Sequence, residues 1–345
     1  MSSSGSRPLR IVSIGGGTGL STLLRGLKRY AKAEENLVDI TAVVTVTDDG
    51  GSSGRLRREF DVLPPGDIRN CMVALSGDES LLSRLFQYRF ASGRGLKGHS
   101  FGNLFLTAMA HLTGDFSQAV KLSAEVLAVF GRIFPSTAAN VVLEATLADG
   151  TKVKGETRIS RSKSPIERLE MRPRRPKPLA ETIEAIAAAD LITFGPGSLY
   201  TSIIPNLLVD GIPRAIATSP ALKAYFVNLM SQPGETTHLR ASDHVTAILR
   251  HAGRNFSRSL IDVCVVNTAP IGGTVLRRYQ ANEAKPVEND LDNLNRLGLC
   301  ILTADLLRMS GVRHQEKIRH DPGAIAGVAV ELAQQGRRAK LRLTS

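Results

Sequence analysis

Short apolar runs alternate with helix-spaced apolar positions along this chain, and the alternation predicts an α/β fold. Residues 9–14 and 40–46 are β-rich runs, and between them Leu20, Leu23, Leu24 and Leu27 follow one helix face. A long helical stretch, 67–130, comes next. It opens with a helix over 67–75 and has apolar residues at 81, 82, 85, 86 and 90, then helical patterns over 102–112 and 115–130. The glycine-rich link 92–100 divides it and reads as a mobile loop. Residues 141–147 alternate, turn at Asp149-Gly150, and return through Val153, Gly155, Thr157 and Ile159, a hairpin pattern. Segment 160–178, rich in proline and charge, reads as a loop. A helix over 179–189 leads to a strand at 191–194, with further strands expected at 215–218, 260–266 and 299–302. A closing helix is expected from about Asp321 to Gln335. This order fits a parallel sheet with helices on both faces, with helical segment 67–130 and hairpin 141–160 as insertions. One domain would span 9–335, after a disordered lead-in, 1–8, and before a basic tail, 336–345.

Composition narrows the class. With 345 residues, 42% hydrophobic and 22% charged, the chain can bury a substantial core and reads as an ordinary soluble domain. No apolar run approaches the roughly 18 residues of a membrane span, and no secretory signal is visible, which points to the cytoplasm. Cys71, Cys264 and Cys300 are an odd, scattered set without metal-ligand spacing, and each has apolar neighbours; they read as core fillers in a reducing compartment. His111, His238, His244, His251 and His314 likewise lack ligand spacing and read as surface or core residues. The net charge of +12 raises nucleic acid as a partner, but the basic residues are scattered except at 172–177 and 337–342. Without tryptophan, and with only 5% aromatics, stacking platforms for single strands are scarce. Solubility plus attraction for small anionic ligands explains the charge better.

The chemistry concentrates at glycine-and-aspartate segments. Gly15-Gly16-Gly17-Thr18-Gly19 lies between a strand and a helix, where free backbone N–H groups and a positive helix end can meet a phosphate. It is not a Walker loop, because no lysine follows, and it is not a dinucleotide fingerprint, because the last glycine position is Leu20. Gly16, Gly17, Thr18 and Gly19 are therefore candidate phosphate contacts. Asp48 and Asp49 end the second β-rich run; they suit Mg²⁺, ribose hydroxyls or a catalytic base, although aspartate also serves turns. Arg55 is a candidate phosphate clamp, whereas Arg57 and Arg58 are expected to face solvent. Asp67 suits a helix N-cap, but Arg69 opposes the dipole of the helix that it opens, and with Asn70 it suggests an anion. The polar cluster ending at Asn103 starts another helix and adds a candidate contact. Gly195, Gly197 and Ser198 repeat the strand-to-loop logic in the second half. Asp321-Pro322 is a good helix-cap pair.

Taken together, the long motifs at 14–21, 45–57, 63–70, 85–90, 98–103, 195–208, 228–236 and 243–244 resemble the gluconeogenesis factor family, the YvcK-like proteins. That family is a branch of the superfamily that includes CofD, the 2-phospho-L-lactate transferase of deazaflavin synthesis. The resemblance implies a Rossmann-like α/β fold and a nucleotide-type ligand. The YvcK-like branch implies binding of a UDP-sugar such as UDP-N-acetylglucosamine, a role in cell shape, cell wall and growth on gluconeogenic carbon, and no established reaction. The motif Gln232-Pro233-Gly234-Glu235-Thr236 and the late Arg319-His320-Asp321 look like that branch, with Arg319 meeting the nucleotide-sugar. The transferase branch implies instead Mg²⁺ at Asp48 or Asp49 and transfer of a phospholactyl group from a guanosine diphosphate-linked donor. Pro322 stands where relatives can carry a threonine, which removes a phosphorylation switch there. A cell-wall or carbon-metabolism protein partner is expected but not identified, and a homodimer stays open.

Overall fold

Seven parallel strands form the main sheet of the computed structural model, which describes residues 7–33, 36–77, 81–253, 256, 260–308 and 318–344. In chain order the strands are β1 (Leu9–Gly15), β2 (Val38–Val44), β3 (Arg132–Pro135), β4 (Val142–Leu147), β5 (Lys152–Lys154), β6 (Ile166–Arg172), β7 (Leu191–Phe194), β8 (Leu222–Phe226), β9 (Val263–Asn267) and β10 (Cys300–Ala304). The large sheet runs β10-β9-β8-β7-β1-β2-β3, and an antiparallel β5-β4-β6 sheet stands apart from it. Its register pairs Ile11 with Ile40 on one side and with Leu191 on the other.

The first half contributes helices α1 (Gly17–Ala31), α2 (Gly51–Phe60), α3 (Gly66–Leu75), α4 (Leu81–Gln87), α5 (Phe101–Thr113), α6 (Phe116–Val126) and the short α7 (Glu156–Ile159). The central strands read as continuous apolar runs because both faces are covered. Ile11, Ile40, Leu191 and Val265 point into a core shared with Leu20, Leu24 and Leu27 of α1 and Ile325 and Ala329 of the final helix. Ile14, Val43, Phe194 and Val266 point the other way, into a core closed by Leu143 and Leu169 of the small sheet and by Ile248. Among the described residues no helix is long and apolar enough to cross a membrane.

Strand order reverses between β1 and β7. The chain steps from β1 to β2 in one direction, while β7 leads through β8 to β10 in the other. Helices leaving the C-terminal ends of such neighbours diverge and leave a crevice between them.

Several local expectations are corrected. Residues 215–218 are not a strand: Ile212–Thr218 is helical, with Pro213 in its first turn, and the strand is β8. Four apolar residues cannot separate the two periods, and proline is at home at a helix start. Segment 160–178 is not wholly loop, since β6 pairs with β4 across a register shift at Thr146/Leu147. That irregularity breaks the period-two signal in sequence. The returning arm of the hairpin is only β5; Thr157 and Ile159 belong to α7. Arg57 does not face solvent but is buried, donating to the Val141 carbonyl. Cys71 and Cys264 are buried as expected, whereas Cys300 is exposed. The basic segment after Gly336 continues the final helix, Pro322–Thr344. Arg337 within it donates to Asp190 Oδ2 at 2.9 Å, and Asp190 also accepts from Arg7 and from the Arg10 N–H. Residues 1–6 of the expected lead-in, and His314, lie outside the described residues.

Candidate functional site

The crevice at the β1/β7 reversal is lined by the two glycine turns that leave those strands. At the end of β1, Gly16 is the N-cap of α1 and offers no side chain to its amides. Gly17 has φ +62°, a left-handed backbone that favours glycine, and it aims the first turn of α1 outward. The N–H groups of a first helical turn have no intrahelical partner, and the helix dipole makes this end positive. Gly19 is required by contact, since a Cβ there would stand 2.2 Å from the Pro196 carbonyl oxygen. The start of α1 and the turn after β7 are therefore packed together and face the same space.

That space is a cleft of about 700 Å³. Gly16, Gly17, Thr18 and Gly19 form one wall, with Gly197 and Ser198 beside them and Arg319 at the rim. The second turn is held rigid from the β8 side. The Gly197 N–H donates to Asn228 Oδ1 at 3.2 Å, and Asn228 Nδ2 donates to the Gly197 carbonyl at 2.8 Å. Gln232 Nε2 donates to Ser198 Oγ at 2.8 Å, and Gln232 Oε1 is buried without a partner among the described residues. Buried Glu235 accepts from Thr201 Oγ1 at 3.0 Å, Ser160 Oγ at 3.1 Å and the Tyr200 N–H at 3.2 Å. It thereby ties the Leu199–Ile203 turn to the small-sheet side of the cleft. His320 donates from Nε2 to the Val227 carbonyl at 3.2 Å, and burial pushes its pKa down to about 4, so it is neutral at pH 7.

Behind the α1 turn lies a group of carboxylates. Asp67 accepts from the Gly17 N–H, and its pKa is pushed up to about 7 by burial and then by neighbouring Asp48. Glu156, which lines the cleft, is pushed up to about 9 by burial and by Asp48, Asp67, Asp49 and Glu235. Asp48 Oδ1 accepts from the Gly50 N–H at 2.9 Å, a turn contact. Asp49 has a structural task, since its Oδ1 accepts both the Thr157 N–H at 2.9 Å and Thr157 Oγ1 at 2.6 Å.

The candidates chosen from sequence thus divide in space. Gly16, Gly17, Thr18, Gly19, Gly197, Ser198 and Arg319 line the cleft, while Gly195, Asp48, Asp49, Arg55, Asp67, Arg69, Asn70 and Asn103 do not. Asp67 is not the N-cap of α3, since it is a first-turn residue turned to α1. Arg69 donates to Ser100 Oγ at 2.8 Å and Asn70 Oδ1 at 2.7 Å, and the charges of Asp67 and Asp48 favour it, so its opposition to the helix dipole is met inside the protein. Asn103 Nδ2 donates to Ser53 Oγ at 3.3 Å, and Arg55 donates to the Lys97 carbonyl at 2.9 Å. Glu156 was not singled out in the sequence, because a lone glutamate after a hairpin glycine carries no local signature. Asn228, Gln232 and Glu235 were visible only as part of a longer motif.

Residues 11–307 match the family model described as 2-phospho-L-lactate transferase CofD. The chain is 46% identical over 331 residues to the gluconeogenesis factor of Bacillus subtilis, covering 96% of this chain and 100% of that protein. It is 45% identical over 321 residues to the gluconeogenesis factor of Halalkalibacterium halodurans, covering 93% and 95% respectively. A crystal structure of a UPF0052 family member from Bacillus halodurans superposes with a TM-score of 0.87 at 44% identity, covering 94% of this chain and 100% of that one.

Proposed function

Since this chain belongs to the CofD family and, within it, to the gluconeogenesis factors, we propose that it binds a nucleotide-sugar of the UDP type and acts as a regulator rather than by turnover. The observation that carries the reading is the start of α1, where Gly16 offers no capping side chain, Asp67 takes the Gly17 N–H, and Thr18 and Gly19 face a cleft of about 700 Å³ that also presents Arg319. A pyrophosphate at that helix end would receive backbone N–H donors and the positive dipole, with Arg319 as counter-charge. The cleft volume lies within the range of small-molecule sites, about 300–1,000 Å³, and leaves room for a base and a sugar. UDP-N-acetylglucosamine is the ligand we put first, and a role in cell shape, cell wall and growth on gluconeogenic carbon would follow from sensing it. The compartment in this reading is the cytoplasm, with a cell-wall or carbon-metabolism protein as partner.

The test is thermal unfolding with UDP-N-acetylglucosamine. At about 100-fold excess over Kd the expected gain is roughly 2.7 kcal/mol, with the ligand recovered intact. Arg319→Ala should cut the gain; an unchanged gain in that variant, or none in the parent protein, would overturn the proposal.

A second reading, an Mg²⁺-dependent transferase, is favoured by the carboxylates behind Gly17. Oxygen donors that repel one another, with pKa values displaced upward, suit a hard cation. Asp48 with Asp67 would hold it, not Asp49, whose oxygen is committed to Thr157. Among the described residues no group of three or more His, Cys, Asp or Glu side chains could hold a metal ion, so phosphate oxygens and waters would have to supply most of the ligands. A bound Mg²⁺ would neutralise charge on a phosphoryl group at the cleft. Release of a nucleoside monophosphate from a nucleotide-linked donor, with a deazaflavin acceptor and Mg²⁺, would establish this reading over the first.

A further inference from the structure

A second cleft, of about 580 Å³, opens along α1 and is also lined from α3, α4 and the start of the final helix. Its walls carry Arg25, Lys28 and Arg29 of α1, Arg84 of α4, and Arg308 beyond β10. Asp321 is the single acid among the described lining residues, and its Oδ1 already accepts the Ala324 N–H at 2.8 Å to cap the final helix. Lys28 donates to the Ser76 carbonyl at 2.9 Å. By contrast the side chains of Arg25, Arg29, Arg84 and Arg308 have no hydrogen-bond or ion-pair partner among the described residues. The Arg25 pKa is lowered, first by burial and then by the positive charges of Arg319 and Arg308.

Arginines brought together from three parts of the chain, without a countercharge among the described residues, repel one another and stay together only because the fold holds them. Guanidinium groups offer planar forks of donors that match phosphate and carboxylate oxygens. A solvated surface has no need to converge them on a concave space, nor to floor that space with Ser76, Ser83 and Gln87. We infer that this cleft is a binding site for a small polyanion, a metabolite bearing two or more phosphate or carboxylate groups, distinct from the ligand of the glycine-lined cleft.

Calorimetric titration with pyrophosphate and, separately, citrate tests this and distinguishes a phosphate from a carboxylate ligand. The full chain, Arg25→Gln and Arg84→Gln are compared. Both arginines reach solvent, Arg25 partly desolvated by its neighbours, so the fold should survive, and matching melting temperatures confirm it. Saturable binding of at least one probe is expected, weakening with salt, and falling by about 10-fold or more in each variant. UDP-N-acetylglucosamine binding should be unchanged in Arg84→Gln, whose side chain is not among those lining the glycine-lined cleft. Equal probe affinity in all three proteins, or no saturable binding of either probe to the parent chain, overturns the inference. Failure of the UDP-sugar to bind at all bears only on the function proposed above.

Discussion

Glu156→Gln offers a direct reading of the proton held by a carboxyl that lines the cleft. The folded carboxyl is pushed up to about 9, chiefly by burial, from an ordinary value of 4.5. Between those two pH values the folded chain keeps a proton that the unfolded chain has released. Folded protein then binds more protons than unfolded, so stability falls as pH rises across that window. At pH 7 the unfolded state is favoured across 2.5 pH units at 1.36 kcal/mol each, about 3 kcal/mol. Glutamine mimics the shape of the protonated acid and has no proton to lose. The variant should therefore gain on the parent by about 2–3 kcal/mol between pH 5 and pH 7, and by more towards pH 9. Urea unfolding followed by circular dichroism, with EDTA present, measures the difference at each pH. A difference that stays constant within about 0.5 kcal/mol from pH 5 to pH 8 would refute the reasoning. Added Mg²⁺ should flatten the parent's pH dependence if the carboxylates hold it.

Further outcomes follow from single contacts. Arg337→Ala leaves the fully buried Asp190 short of one cation and should cost about 2–4 kcal/mol in urea unfolding at pH 7. Asp190 is held below the usual aspartate range, so its contribution is present above that range and lost as pH falls through the lowered value; the cost should shrink on acidification. Gly19→Ala forces α1 away from the Pro196 carbonyl and should lower both melting temperature and nucleotide-sugar binding. Thr157→Val removes one of the two donors that Asp49 accepts and should cost about 1–2 kcal/mol, read from the same unfolding curves.

Much of this protein is written locally. The strand–glycine–helix unit at 9–31 was legible because the hydrophobic period changes across Gly15 to Gly19, and the same holds for the Asp149-Gly150 hairpin. The elements that escaped were those whose signal is short or broken: β6 with its register shift, and the helix Ile212–Thr218 with too few residues to show a period. Arg69 is instructive in a different way. Its conflict with the helix dipole was visible, but whether a ligand or the protein's own Asp48, Asp67 and Ser100 resolve it depends on neighbours as far as 31 residues away.

The sequence by itself determined that a helix would begin after β1 behind a glycine turn with no capping side chain of its own, since that needs only glycine flexibility and the dipole of the residues that follow. The tertiary structure decided what those amides face. Parallel pairing of β1 with β7 brings Pro196 against Gly19 and makes one cleft of two turns. The same packing surrounds Glu156 with acids from three other segments and sets Arg337 on Asp190. Burial and long-range charge are properties of the assembled fold, and no window of neighbouring residues contains them.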